Sequence, residues 1–244
     1  MEYSRDQLTA YLEWDIDTWG HALRYWDEVL DGQPVCYEKA LELGARNGGL
    51  SLYLAEKGMR VACSDLNGPT PQAHELIGQH GFTDYVSFES VDATAIPYVD
   101  DSFDVVVFKS VLGGIGMACG LEGIRQAVRE IHRVLKPGGL LLFAENLEGS
   151  RLHRQARRRF VPWGRSWLYP TMGQIKDLLA VFDESELRSY GFFSCFKKDF
   201  APFVLADRLI CRSPVSHSHY MVFGHAKKWA TADSAAITCS NLLQ

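Results

Sequence analysis

From Glu38 to Asn146 the chain repeats one pattern, a short apolar run followed by a turn and a helical stretch. KALEL runs into a glycine-bearing loop, LELGARNGG, and then into the helical LSLYLAEKG, which Gly58 stops. RVACSD is a second strand ending on Asp65, and a Pro/Gly-rich loop and a short helix lead on to VSFES, with Asp92 just beyond it. FDVVVFK, Phe103 to Lys109, is β-branched and continuous, as in a strand covered on both faces. In LEGIRQAVREIHRVLKPGG, Ile124, Val128, Ile131 and Leu135 share one helix face, and Pro137-Gly138-Gly139 ends the helix. LLLFAE is the fifth strand. Helices between successive strands allow few packings, and the pattern predicts an α/β fold with a parallel sheet doubly wound by helices.

The flanks are less regular. Residues 1–34 read as a helical segment stopped at Pro34 and rich in aromatic side chains, Tyr11, Trp14, Trp19, Tyr25 and Trp26. Such a stripe either packs on the domain or forms a lid over a ligand. The core is expected over 35–148, a basic insertion over 149–170, the C-terminal part of the sheet domain over 171–229 and a frayed tail over 230–244. Within 171–229, Thr171 and Gln174 form a capping box that opens a helix through Ala180. LRSYGFFSCF and HYMVFGHA are candidate strands of an antiparallel edge.

A length of 244 residues fits one large domain or one with a modest insertion, and 47% hydrophobic residues supply an ordinary core. The formal charge of −5 gives no reason to expect nucleic acid. Six scattered cysteines (Cys36, Cys63, Cys119, Cys195, Cys211, Cys239) include no C-x-x-C pair. That argues against a zinc site or a disulfide framework and for a reducing compartment. The N-terminus carries charges throughout, unlike a signal peptide, and no apolar run approaches the ~20 residues of a membrane span. A soluble, cytoplasmic protein without integral membrane segments is expected.

In an open sheet of this kind, ligands bind beyond the carboxyl ends of the strands. This reading puts Glu42 to Gly49, Asp65, Asp92, Lys109 to Gly114, Glu145 and Asn146 there. An aspartate closing the second strand, about 20 residues past a glycine loop, suits a ribose diol. The dinucleotide fingerprint needs glycine at 44, 46 and 49, but position 46 is arginine. The Tyr53/Lys57 pair of a short-chain dehydrogenase pattern falls in the helix after the loop, away from any site. A nicotinamide oxidoreductase is therefore disfavoured. No Gly-Lys-Ser/Thr follows the loop, which excludes a P-loop.

Four stretches in order, LELGARNGG, VACSD, VDATAIPYVDDSFDVVV and REIHRVLKPGG, make the chain resemble the class I S-adenosylmethionine-dependent methyltransferases with a methyltransferase type 11-like domain. The resemblance covers residues 38–146, and YMVFGHAKK also fits its terminal strand. It implies a Rossmann-like, mostly parallel seven-stranded sheet with an antiparallel last strand, and S-adenosylmethionine as cofactor. By that likeness Glu42 and Gly44 open the methionine-binding loop, which continues through Ala45, Arg46 and Gly48. Asp65, with Leu66 beside it, would hold the ribose hydroxyls. Asp92 with Ala93 would flank the adenine amino group, and Lys109 and Ser110 would start the loop facing the sulfonium. Arg46 departs from the glycine the family keeps. Either its fork holds the cofactor's carboxylate through charge-assisted hydrogen bonds, or it points to solvent.

Methyl transfer asks a protein mainly for alignment and a dry site. An oxygen or nitrogen acceptor also calls for a general base, and Glu145, His153 and His21 are the candidates. Each has a structural reading too: Glu145 binding backbone amides, the histidines sitting on surfaces. His217, His219 and His225 suggest either a metal or a solvated strand face, and the spacing favours no metal. RLHRQARRRFVPWGRSW carries six arginines and no acid, leaving 19 basic against 30 acidic side chains elsewhere. Within it Leu152, Ala156 and Phe160 recur every fourth residue until Pro162 ends the helix, and Trp163 and Trp167 add flat faces suited to a ring or a membrane interface. The segment predicts an anionic small-molecule acceptor (a phosphorylated or nucleotide-linked sugar, a lipid-carried glycan or a metabolite) and peripheral membrane contact. The competing reading is a solvated helix that packs its stripe and pairs with acids. A catalytically inactive cofactor-binding or scaffold protein of the same fold is the alternative function.

Overall fold

The computed structural model describes residues 2–33, 36–161, 166–196, 200–210 and 218–229. Pro34, Pro162, Trp163, Cys211, His217, Cys239 and the tail from Ala230 lie outside the described residues. In chain order the elements are α1 (Arg5–Leu12), α2 (Ile16–Asp31), β1 (Lys39–Leu43), α3 (Gly49–Glu56), β2 (Arg60–Asp65), α4 (Pro71–Gln79) and β3 (Val86–Ser90). They continue with β4 (Phe103–Lys109), α5 (Leu112–Val134), β5 (Leu135–Asn146), α6 (Arg151–Phe160), α7 (Met172–Leu179), β6 (Glu184–Tyr190), α8 (Ala201–Ile210) and β7 (Met221–Lys227). The strands form one sheet in the order β3-β2-β1-β4-β5-β7-β6. β1 to β5 run parallel, and β7 is antiparallel to both β5 and β6. The order reverses between β1 and β4, so a crevice opens at their carboxyl ends.

Side-chain alternation explains the double winding. Val105, Val107, Leu140, Leu142 and Ala144 join one buried cluster with residues of α1, α2 and α3. Val106, Phe108, Leu141 and Phe143 join a second cluster with residues of α5 and α7. Successive strand residues point to opposite faces, so a strand covered on both faces has no room for a polar alternation. Val105 to Phe108 and Leu140 to Ala144 are unbroken apolar runs for that reason.

The N-terminal segment is two helices, where the sequence suggested one. Glu13 (φ 66°) and Asp15 (φ 50°) take left-handed backbone at the break. Tyr11, Trp19, Tyr25 and Trp26 are buried in the first cluster, so the stripe is largely core; Trp14, at the break, is half-buried and packs against the same cluster. The buried Asp27 ties α2 to α3 by accepting from Tyr53 Oη (3.0 Å) and pairing with Lys57 Nζ (2.6 Å). α5 starts earlier than expected, at Leu112, and Gly120 (φ 67°) kinks it. Leu135, expected on the helix face, already pairs in β5 with Phe103; Lys136 to Gly139 then bulge out before Leu140 pairs with Val105.

The C-terminal third departs further. β6 begins before the expected LRSYGFFSCF and stops at Tyr190; Asp207 of α8 gathers the amides of Phe192, Phe193 and Ser194 into a turn instead. α8 itself had no counterpart in the sequence reading. The strand histidines do not form a solvated face: His219 and His225 are buried, the first against Ser189 Oγ (2.9 Å) and the second against Tyr25 Oη (2.7 Å). Among the described residues no helix is long and apolar enough to cross a membrane.

Candidate active site

The loop between β1 and α3 has the backbone that close ligand approach requires. Gly44 has φ 68°, and a Cβ there would lie 2.5 Å from Val111 Cγ2. Ala45 donates its N–H to the Ser64 carbonyl, and Gly48, also left-handed, precedes the first turn of α3. Arg46 has φ 48°, so it keeps the conformation that a glycine adopts without cost. A non-glycine residue there costs about 1–2 kcal/mol. Arg46→Gly is therefore expected to raise the thermal midpoint by about 2 °C, read by calorimetry. A lower midpoint would mean that the side-chain contacts outweigh the backbone strain.

Those contacts come from the α1–α2 elbow. The Arg46 guanidinium, 62% exposed, lies 3.7 Å from Glu13 Oε2 and 5.6 Å from the Trp14 ring centre. Asn47 Nδ2 donates to the same Glu13 carboxylate at 2.8 Å. Lys109, at the end of β4, donates to the Leu12 carbonyl at 2.6 Å, with its ammonium 3.3 Å from the centre of the Trp14 ring. Burial drives the Lys109 pKa well below the ordinary lysine range, against the opposing pull of Glu13 and Glu42. Asp15 accepts from Thr18 Oγ1 (2.9 Å) and Tyr220 Oη (3.0 Å), which ties the elbow to the start of β7. Glu13, Asp15 and Tyr220 were not among the site residues expected from sequence, and Trp14 figured only in the stripe. The one available signal was Asp15 itself, an N-cap residue type directly before an apolar periodic run.

The carboxylates at the strand ends differ in what they do. Glu42 is buried; its Oε2 accepts from Ser51 N–H at 2.7 Å and from the Ser51 hydroxyl. Burial pushes its pKa up to about 7, although the Ser51 donors and Lys109 act in the opposite direction. Asp65 Oδ2 accepts from Arg46 N–H at 3.0 Å, and its other oxygen takes no donor among the described residues. Asp92 is exposed and binds Thr94 N–H and Oγ1, closing a local turn, while Ala93 packs against the second core cluster. Leu66, beside Asp65, is mostly exposed. Ser110 (φ 58°) accepts from Asn146 Nδ2 at 2.8 Å. Trp167 closes the far side, against Gly113, where a Cβ would lie 1.7 Å from Trp167 Nε1.

The three candidate bases are placed apart from one another in role. Glu145 has no exposure, and its two oxygens accept from Leu112 N–H (2.7 Å) at the start of α5 and from Asn146 N–H (2.8 Å) at the end of β5. Burial pushes it up to about 7. His153 is buried rather than on a surface: Nδ1 caps α6 through Ser150, and Nε2 meets the Phe192 carbonyl at 2.8 Å. Both groups are thus engaged in backbone and capping bonds in this structure. The His21 ring lies 3.9 Å from that of Tyr190, tilted by 31°, and burial pushes its pKa down to about 4. It is neutral at pH 7.

The residues fit a nucleoside bearing an amino-acid tail. A left-handed glycine loop leaves space for the backbone to approach a ligand, Asp65 keeps one acceptor oxygen, and a helix N-terminus follows Gly48.

Among known proteins, residues 41–143 match the model of a family described as a methyltransferase domain. The demethylmenaquinone methyltransferase of Clavibacter sepedonicus is 34% identical over 117 residues, 46% of this chain and 42% of that protein. A ubiquinone/menaquinone biosynthesis C-methyltransferase UbiE of Shewanella is 30% identical over 160 residues, 62% and 58% of the two chains. The chain thus spans less than two thirds of the length of these relatives. The crystal structure of Haemonchus contortus phosphoethanolamine N-methyltransferase 2 in complex with S-adenosyl-L-methionine superposes with a TM-score of 0.62 at 19% identity, over 93% of this chain and 58% of that one. The [4+2]-cyclase SpnF gives 0.58 at 19% identity, over 86% and 81%. At such identities the likeness concerns the fold alone. Residues 41–143 thus carry a methyltransferase domain, in keeping with the chain's resemblance to the class I S-adenosylmethionine-dependent methyltransferases.

Proposed function

We propose that this protein transfers a methyl group from S-adenosylmethionine to a small molecule. The observation that carries the reading is the intact loop geometry around Arg46, with Asp65 bound to its amide and one carboxylate oxygen left for a diol. When bound, the cofactor supplies an electrophilic methyl group on a sulfonium. The chain's own part is to hold and orient both reactants and to keep water out. Gly44, Ala45 and Gly48 shape the loop, Asp65 and Leu66 would hold the ribose, and Asp92 with Ala93 would hold the adenine. Lys109 and Ser110 close β4 beneath the elbow. The 3.7 Å ion pair to Glu13 holds the Arg46 fork only weakly, which supports Arg46 as the partner of the cofactor's carboxylate. Of the candidate bases Glu145, His153 and His21, His21 is neutral at pH 7 and is the one proposed to accept a proton.

The acceptor reading shifts from a phosphorylated or glycan-linked sugar toward a flat ring. Arg154 is paired with Glu148 at 2.7 Å, and Arg157 is spent on the Leu147 and Glu148 carbonyls and the face of Tyr169. Two of the arginines expected to grip an anion are thus engaged within the protein. Trp14, beside Lys109, and Trp167, against Gly113, offer aromatic surface near the β4 end, and the curated relatives are named for quinone methylation, on carbon in the second case. The test offers methyl-labelled cofactor with demethylated quinols in micelles and, separately, with phosphorylated sugars. Label on the quinol ring is expected. Label on the sugars alone would overturn the ring reading, and cofactor binding without transfer to either would favour the inactive cofactor-binding alternative.

A further inference from the structure

The arginine-rich helix α6 packs with the face beside the one its sequence pattern suggests. One of the two sequence readings has the stripe Leu152, Ala156, Phe160 pack on the protein, but Leu152 is 54% exposed and Phe160 77% exposed. The buried face belongs to His153 and Arg157. His153 is held by Ser150 and the Phe192 carbonyl and stacks on Phe196 at 5.2 Å. The Arg157 guanidinium lies 4.0 Å from the centre of the Tyr169 ring and donates to the Leu147 carbonyl. With its two polar anchors turned inward, α6 shows its large apolar side chains to solvent beside the exposed Arg151 and Arg159.

α8, which shares the turn at 192–196 with α6, repeats this arrangement. Asp207 is buried on the amides of residues 192 to 194, and Phe203 packs on Phe193 at 5.8 Å. On the exposed side Leu205 and Leu209, one turn apart, are 59% and 68% exposed and flank the exposed Arg208. The turn at 192–196 touches both helices, through His153 from α6 and through Asp207 and Phe203 from α8. Two neighbouring helices therefore each present leucine or phenylalanine together with arginine, and α6 carries five arginines and no acid.

We propose that α6 and α8 form a face that docks on an anionic lipid bilayer. Exposed large apolar side chains interspersed with arginines are what an interfacial helix needs: the apolar groups enter the acyl boundary and the guanidinium groups meet lipid phosphates. Charge complementarity selects this occupant. The chain as a whole carries −5, so a negatively charged surface repels it everywhere except where the arginines are concentrated. Docking of this kind does not depend on methyl transfer or on the acceptor's identity.

The test is flotation of the purified full chain with vesicles of phosphatidylcholine alone or with one third phosphatidylglycerol, without cofactor or acceptor. At least tenfold stronger partitioning into the anionic vesicles is expected, lost in 0.5 M salt. The double variant Leu152→Asp/Phe160→Asp and the double variant Arg151→Gln/Arg159→Gln should each reduce partitioning at least fivefold. Both pairs are exposed, so unchanged melting curves are expected alongside. Equal binding to both vesicle types, or unchanged partitioning of the variants, would overturn the proposal. So would a size-exclusion shift from dimer to monomer in Leu152→Asp/Phe160→Asp without vesicle binding by the wild type, which would assign the face to a second copy of the chain.

Discussion

Replacing Asp65 with alanine is expected to weaken S-adenosylhomocysteine binding by about 1.5–3 kcal/mol, roughly ten- to 150-fold. Asp65 closes β2 beside the glycine loop and does two things from there. One oxygen accepts the Arg46 N–H at 3.0 Å, which helps hold that residue in its left-handed conformation; the other takes no protein donor among the described residues. Alanine removes both the anchor of the loop and the acceptor for a diol. Asp65→Asn keeps a carbonyl oxygen for the Arg46 amide but gives up the charge, so its affinity should fall between the two. Isothermal calorimetry on the three proteins decides the matter: equal affinity for wild type and Asp65→Ala would remove Asp65 from the site.

The second large effect is a pH dependence of stability centred on Glu42. Its carboxyl is buried and titrates near 7 in the folded chain, against 4.5 for the free group. Below pH 4.5 both folded and unfolded chains hold the proton, and the shift contributes nothing. As pH rises from 4.5 to 7 the unfolded chain releases the proton while the folded one keeps it, so stability falls. Above pH 7 the loss is complete, at about 3 kcal/mol as an upper bound. Glu42→Gln keeps an acceptor for Ser51 N–H and cannot ionise. It should match the wild type in denaturant midpoint at pH 4.5 and exceed it clearly at pH 8. Glu145, shifted in the same direction by burial, keeps a residual slope in the variant. Parallel curves for the two proteins across pH 4.5–8 would show that Glu42 is ionised in the fold throughout.

Both predictions concern residues that local sequence pattern had already located. β1 to β4 lie where apolar runs bounded by glycine, proline and charged residues put them, because period and turn chemistry act over a few residues. The sheet edge was less legible. β6 is a largely exposed strand with little hydrophobic alternation to mark it, and the turn after it is organised by Asp207, which comes from an unexpected helix. The C-terminal histidines show the same limit, since alternation in β7 carries no sign of what covers each face. His225 is buried because Tyr25, 200 residues earlier in the chain, reaches it.

The sequence by itself determined the α/β winding, the glycine loop and the acids that end its strands, because each is written in a window shorter than one helix or strand. Only the tertiary structure decided the shape of the cover and the facing of the arginine helix. The left-handed break at Glu13 and Asp15 opposes local backbone preference, and the contacts of Lys109 with Leu12 and of Tyr220 with Asp15 accompany it from 97 and 205 residues away. On α6 the apolar stripe and the pair His153 and Arg157 offered two faces for burial. The carbonyls of Leu147, Glu148 and Phe192 and the rings of Tyr169 and Phe196 satisfy the polar pair. Those partners come from other segments, and a helical stripe read alone carries no record of them.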